Sequence, residues 1–333
     1  RLVSSGVFSD WRSQPGSSGF WMATDAGALL KYGRTRKKKR DWRGFVFQVL
    51  FLFPAVFFLG LFMFYPIEET FRLSLMRASG LGDTVYIGLE NYVKLFTNEE
   101  FQQGLLHVFA WAFWSVVIQI PLAFFIAFTL TVFRNKITSN LRAIYYLASI
   151  LPSAIVAMLG RFIFSPRNGV ISSLAARWNW TWLANIDFFG DSRLAFWTVF
   201  AVATWTYIGF YIVYQMANIE QISVDIYEAA LLDGATRWQY ARYVVIPMIS
   251  YPLRICAILC TVGSLKLFDL PWLLTFGGPG YATTTLGIIL YKHGFINAMY
   301  GRASAIGVVI FLLSLIFTVI QFSLQRRGGD IEW

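Results

Sequence analysis

The sequence predicts an all-α, polytopic membrane protein with six spans and one long cytoplasmic loop. Three observations carry that reading. Of 333 residues, 57% are hydrophobic and only 14% are charged, whereas about a quarter of the residues in soluble domains are charged. Six apolar runs reach the roughly 20 residues that a helix needs to cross a bilayer. The 28 Lys and Arg residues are sorted unevenly among the segments joining those runs, as a fixed membrane orientation requires. Aromatic residues make up 18% of the chain, which suits a bilayer and its two interfaces. The net charge of +10 does not point to nucleic acid, because so little charged surface cannot form the solvated basic face such binding needs.

The runs lie at 45–66, 105–133, 143–164, 194–217, 248–276 and 303–324. Pro54, Pro121, Pro152, Pro252 and Pro271 fall within them. An interior proline removes a helix hydrogen bond, so kinked spans are expected, with neighbouring helices re-satisfying the freed carbonyls. With the N-terminus placed in the cytoplasm, 18 of the 28 basic residues fall inside and eight outside, and Arg161 and Lys266 lie within spans. Both termini are therefore expected on the cytoplasmic side. The basic run Arg34, Arg36, Lys37, Lys38, Lys39 and Arg40 is expected to anchor on anionic membrane lipid. The expected organisation is a basic segment at 1–44, a six-span domain at 45–325 and a cytoplasmic tail at 326–333. Residues 1–32 lack periodicity and stay outside the fold argument, with Met22 a candidate start. Residues 281–300 carry Lys292 and His293. A seventh span there would reverse the charge bias, so an outward-facing or re-entrant helix is expected. Cys256 and Cys260, four apart in an apolar run, are read as small packing residues.

The loop at 218–247 is far longer than a turn requires. Asp225 is the expected helix N-cap, with Glu228 at the third helical position as in a capping box. Tyr227, Ala230 and Leu231 share one face by their spacing. Gly234 supplies the left-handed residue that ends this helix, and a second amphipathic stretch, 236–246, runs until Pro247. The result is a helix–glycine–helix elbow on the cytoplasmic face.

The elbow is where a family resemblance becomes plain. Glu228, Ala229, Ala230, Asp233, Gly234 and Ala235, followed by Ile246, Pro247 and Pro252, resemble the signature loop of permease subunits of binding-protein-dependent ABC importers. The segment at 268–280, FDLPWLLTFGGPG, and residues 283–286 resemble the carbohydrate-uptake branch, of the maltose, glycerol-phosphate and alginate type of first permease. The resemblance implies the six-helix permease core with a coupling helix at 228–232, Leu231 included, seated in a cleft of an ATPase subunit. It implies a basic ATPase residue paired with Glu228, a second permease subunit in a pseudo-symmetric heterodimer, two ATPase subunits and a periplasmic or surface-tethered solute-binding protein. The chain has no Gly-Lys-Ser/Thr ending of a phosphate-binding loop, so ATP hydrolysis is assigned to a separate chain. It is expected to hold no cofactor or metal itself, ATP and Mg belonging to the ATPase subunits.

Polar groups within a span are costly and are read as functional. Tyr207, Tyr211 and Tyr214 recur on one face of the fourth span, where phenol rings suit sugars; packing against neighbouring helices would place them equally well. The resemblance implies that the middle of the fifth span lines the substrate path, which brings in Gly263 and Ser264. Lys266 and Asp269, three apart, join that path or neutralise each other. Arg161 is expected to reach outward. With Arg167, Arg177, Arg193, Lys292 and Arg302 it faces Asp187 and Asp191 on the outer side, a basic excess that suits an anionic sugar such as an alginate oligomer. An intramembrane enzyme is disfavoured, because the chain has two His and no H-E-x-x-H or G-x-S-x-G motif. An ion-coupled carrier or channel would leave the elbow without a role.

Overall fold

The computed structural model describes residues 42–80, 82, 84–132, 136–166 and 168–326. The basic run at 34–40, Arg134, Arg167 and the tail from 327 lie outside the described residues. The chain divides into two compact units, 1–63 and 64–333. In the first, the helix Trp42–Leu59 turns apolar side chains such as Phe47, Phe51 and Phe58 outward.

The described residues are predominantly helical, with one short antiparallel strand pair, Met76–Arg77 and Val85–Tyr86. Four stretches are long and apolar enough to cross a membrane: Val46–Ser74, Glu99–Val132, Ser192–Ile219 and Tyr300–Leu324. These are the expected first, second, fourth and sixth spans. The third and fifth are not single helices. Ile144–Ile150 and Ser153–Phe164 meet at 111°, and Arg237–Met248 and Ser250–Leu265 at 74°. The first break falls at Leu151–Pro152, where Pro152 is extended and caps the following helix, as the steric bias around proline favours. The fifth span was expected to run to 276. Its helix ends at Leu265, and a separate short helix, Asp269–Thr275, follows.

The prolines act differently from simple kinks. Three π turns, Gly60–Phe64, Ser115–Gln119 and Ala241–Val245, each end two residues before a proline, namely Pro66, Pro121 and Pro247. The proline ring clashes with the carbonyl four residues back in an α-helix, and a one-residue-wider turn relieves that clash. Pro66 and Pro247 consequently do not end their helices. The first span continues to Ser74, and the segment through Pro247 reaches Met248.

The second unit packs around three apolar clusters. One joins Ala123, Ala127, Ile212, Tyr240, Val245 and Cys256. A second joins Trp111, Val156, Val199, Leu270 and Leu274, and a third joins Phe101, Leu265, Leu286 and Ile306. Both cysteines are buried and free, as packing residues should be. Span hydroxyls bond their own helix: Thr198, Thr206, Thr261 and Ser314 each donate to the carbonyl four residues back, at 2.8–3.0 Å. Each of these four hydroxyls is thereby satisfied within its own helix.

The helix Leu286–Tyr291, with its π extension Lys292–Ile296, is the predicted non-spanning element. Its Lys292 ammonium pairs with Glu100 at 2.8 Å, which removes Lys292 from the outer basic excess. Arg161 is also not free. Its Nε donates to the Leu274 carbonyl at 3.2 Å, and its guanidinium lies 5.3 Å from the Phe276 ring centre. Burial lowers the His293 pKa, the Arg302 charge adds to that, Glu100 opposes it, and Lys292 adds a further lowering. The ring is thus held neutral in the folded chain while the unfolded chain takes up a proton as pH falls through the ordinary histidine range near 6.5. Stability is therefore expected to decline on acidification through that range. Melting temperature against pH in detergent should show this slope, and His293→Asn should flatten it.

Candidate functional site: a helical elbow and a membrane cavity

The elbow begins with the helix Val224–Leu232. Its N-cap is Ser223, whose hydroxyl accepts from the Asp225 amide at 3.2 Å, and not Asp225 as expected. Asp225 sits in the first turn, where an acid favours the helix dipole. At the other end Gly234 has φ +77°. The Gly234 amide donates to the Leu231 carbonyl and the Ala235 amide to the Ala230 carbonyl, both at 3.0 Å. These two bonds form a Schellman termination, which needs a left-handed residue at Gly234. Thr236 then caps the next helix with a capping box to Gln239.

The elbow is fastened to the bundle. Tyr227 meets the buried Tyr240 edge-to-face at 5.0 Å, and both they and Ala230 pack on the cluster around Ile212. Arg142 pairs with Glu220 at 2.7 Å, linking the base of the third span to the end of the fourth. Glu228, Ala229, Leu231 and Asp233 face outward. Leu231 thus leaves the face on which its spacing placed it. Leu232 lay inside the helix expected at 228–232 but was not among its named site residues, and 90% of its surface is exposed, although an apolar side chain alone reads as core.

The second feature is a half-open cavity of about 410 Å³ between the second, third, fourth and fifth spans, a size usual for small-ligand sites. Tyr207, Tyr211, Gly263, Ser264, Lys266 and Asp269 all line it. Tyr214 does not; it stacks on Phe210 at 6.3 Å and packs on the core. The Ser264 hydroxyl donates to the Cys260 carbonyl at 2.8 Å, so its proton is already committed. Asp269 accepts from Ser153 at 3.3 Å. Among the described residues no ion pair joins Lys266 to Asp269, so the cavity keeps both charges. Lys266 caps the C-terminus of Ser250–Leu265, where a cation is favoured. Sequence reasoning missed Trp111, Gln119 and Tyr146 in the lining. Gln119 could have been found as an amide in an apolar span; the two rings carry no such signal.

Residues 119–328, which include the elbow and most of the cavity, match the family model described as binding-protein-dependent transport system inner membrane component. The chain belongs to this family. It is therefore a multi-pass inner-membrane permease, and the carrier or channel alternative falls away. A probable ABC transporter permease protein of Bacillus subtilis (strain 168), YurN, is 31% identical over 290 residues, spanning 86% of this chain and 98% of YurN. The trehalose/maltose transport system permease protein MalF of Thermococcus litoralis is 27% identical over 282 residues, 84% of this chain and 94% of MalF. A chain in the crystal structure of a bacterial ABC transporter involved in import of the acidic polysaccharide alginate superposes with a TM-score of 0.75. At 22% identity, covering 86% of this permease and 96% of that chain, the likeness is one of fold.

Proposed function

We propose that this permease is one membrane subunit of an ATP-driven carbohydrate importer. It works with a second permease subunit, two ATPase subunits that bind ATP and Mg, and a solute-binding protein, and both its termini face the cytoplasm. The observation that carries the proposal is the elbow: a pre-formed helix, outward-facing at Glu228, Ala229, Leu231 and Leu232 and locked to the core through Tyr227 and Tyr240. Such a body transmits a push from a bound ATPase to the bundle without bending. Asp233, Gly234 and Ala235 close that helix and hold its angle. The moving parts are the half-helices at the two bends, of which Ile144–Ile150 and Ser250–Leu265 border the cavity, and their displacement alternates its access.

Carbohydrate is supported by the lining, in which aromatic rings and polar side chains border one cavity, and by the transport of trehalose and maltose in the relative's name. An acidic sugar is supported by Lys266, whose charge Asp269 does not cap, and by the alginate importer of like fold. Purification from membranes should bring down a second permease and an ATPase. Reconstituted with its binding protein, the complex should hydrolyse ATP faster with acidic than with neutral oligosaccharides. Stimulation by neutral sugars alone would remove the acidic substrate, and no ATPase partner in any extract would remove the importer.

A further inference from the structure

We infer that Gln119 forms a hydrogen-bond donor subsite for saccharide oxygens in the membrane cavity. The inference rests on the carbohydrate reading above and extends it to a residue outside the expected substrate path. Gln119 closes the π turn Ser115–Gln119 in the second span, a local widening that recurs at functional sites. Its side chain is 95% buried yet borders the cavity, as only 5% of its surface is exposed. The Cys260 thiol of the fifth span donates to its Oε1 at 3.4 Å, which holds the carboxamide by its oxygen end.

The nitrogen end is different. Among the described residues no protein atom accepts from Gln119 Nε2, and this nitrogen is not among the fully enclosed polar atoms without a partner, as the Gln215 and Gln321 oxygens are. Gln119 lines the cavity, and with its oxygen end held by Cys260 the nitrogen end is the one left to give its hydrogens to a ligand there. A donor left unmade in such surroundings is costly, and an oxygen-rich ligand supplies what it lacks. Trp111 and Tyr211 border the same space, and aromatic rings suit the apolar side of a sugar. The neighbouring Ser264 hydroxyl cannot share the task, since its proton goes to the Cys260 carbonyl. Hydroxyl or carboxylate oxygens of a saccharide are the chemistry that fits.

The test uses the assembled transporter in vesicles with saturating binding protein, and maltotriose and an alginate trisaccharide as probes. Gln119→Met keeps the side chain's length and removes the donor; Gln119→Glu, assayed at alkaline pH so that the carboxyl is ionised despite burial, keeps an acceptor for Cys260 and also removes the donor. Both should import the saccharide that wild type carries about tenfold more slowly, the equivalent of one donated hydrogen bond at about 1.4 kcal/mol. Docking of the loaded binding protein should be unchanged. Gln119→Glu should be slower than Gln119→Met for the acidic probe, where a second carboxylate repels the ligand, a difference that a merely structural role does not produce. Should Gln119→Met fail to assemble, the near-isosteric Gln119→Glu carries the test alone. Import at the wild-type rate in either variant overturns the subsite while leaving the carbohydrate reading intact. A wild-type complex that imports neither probe nor any other saccharide overturns that reading instead, and the subsite with it.

Discussion

Replacing Gly234 with proline is expected to abolish binding-protein-stimulated ATP hydrolysis and uptake while the spans still insert. The backbone at Gly234 has φ +77°, and the proline ring fixes φ near −65°. Proline also lacks the N–H that Gly234 gives to the Leu231 carbonyl. Both bonds of the helix termination are then lost, and the rigid angle between the helix Val224–Leu232 and the capping box at Thr236 goes with them. Gly234→Ala keeps the N–H and suffers only the left-handed strain of about 1–2 kcal/mol, so it should retain partial coupling. Glu228→Lys tests the outward face alone, because Glu228 makes no ion pair among the described residues. It should leave the elbow folded and still uncouple transport. Membrane abundance, uptake and ATPase stimulation measured side by side decide the matter. Undiminished uptake in Gly234→Pro would show that the elbow does not transmit force.

Gly209→Val should lose most of the folded protein. A Cβ at Gly209 would stand 2.2 Å from the Tyr145 carbonyl oxygen, 3.0 Å from its carbon and 3.3 Å from the Tyr146 Cα. These are backbone atoms of the neighbouring helix Lys136–Ile150, which cannot rotate aside as a side chain would. The fourth span and that helix must separate. Overpacking costs about 1–3 kcal/mol in ordinary cores, and contact with backbone places this variant at or above the upper end, against a total stability of about 5–15 kcal/mol. Tyr146 borders the cavity, so any surviving protein should also transport poorly. Gly263→Ala is the control. Nothing lies within 4 Å of its added Cβ, and its melting temperature in detergent should match wild type. Equal yields of Gly209→Val and wild type would refute the close approach.

How much could be read from the chain varies with the range of the interaction. The first, second, fourth and sixth spans were legible because bilayer partition is a sum over about 20 neighbouring residues. The elbow was legible because a left-handed glycine and a capping residue act within one turn. Even so the cap moved from Asp225 to Ser223, since both can fill that role and the first helical turn chose between them. Pro152 announced a disturbance but not a 111° bend. Pro121 announced a kink, Pro247 a stop and Pro66 the end of a run, and π turns formed before all three, because sequence alone does not say how a helix relieves a ring clash.

The sequence by itself determined the membrane class, the charge asymmetry and the helix–glycine–helix elbow, all consequences of local composition and short-range hydrogen bonding. Only the tertiary structure decided the cavity. It brought Gln119 to Cys260 across 141 positions, separated Tyr214 from Tyr207 and Tyr211, tied Arg161 to Leu274 and kept Lys266 apart from Asp269. Helix faces meet according to rotation and crossing angle, which depend on packing of side chains distant in the chain. A periodicity can place a residue on a face, but the neighbouring helix decides whether that face borders a ligand space or a core.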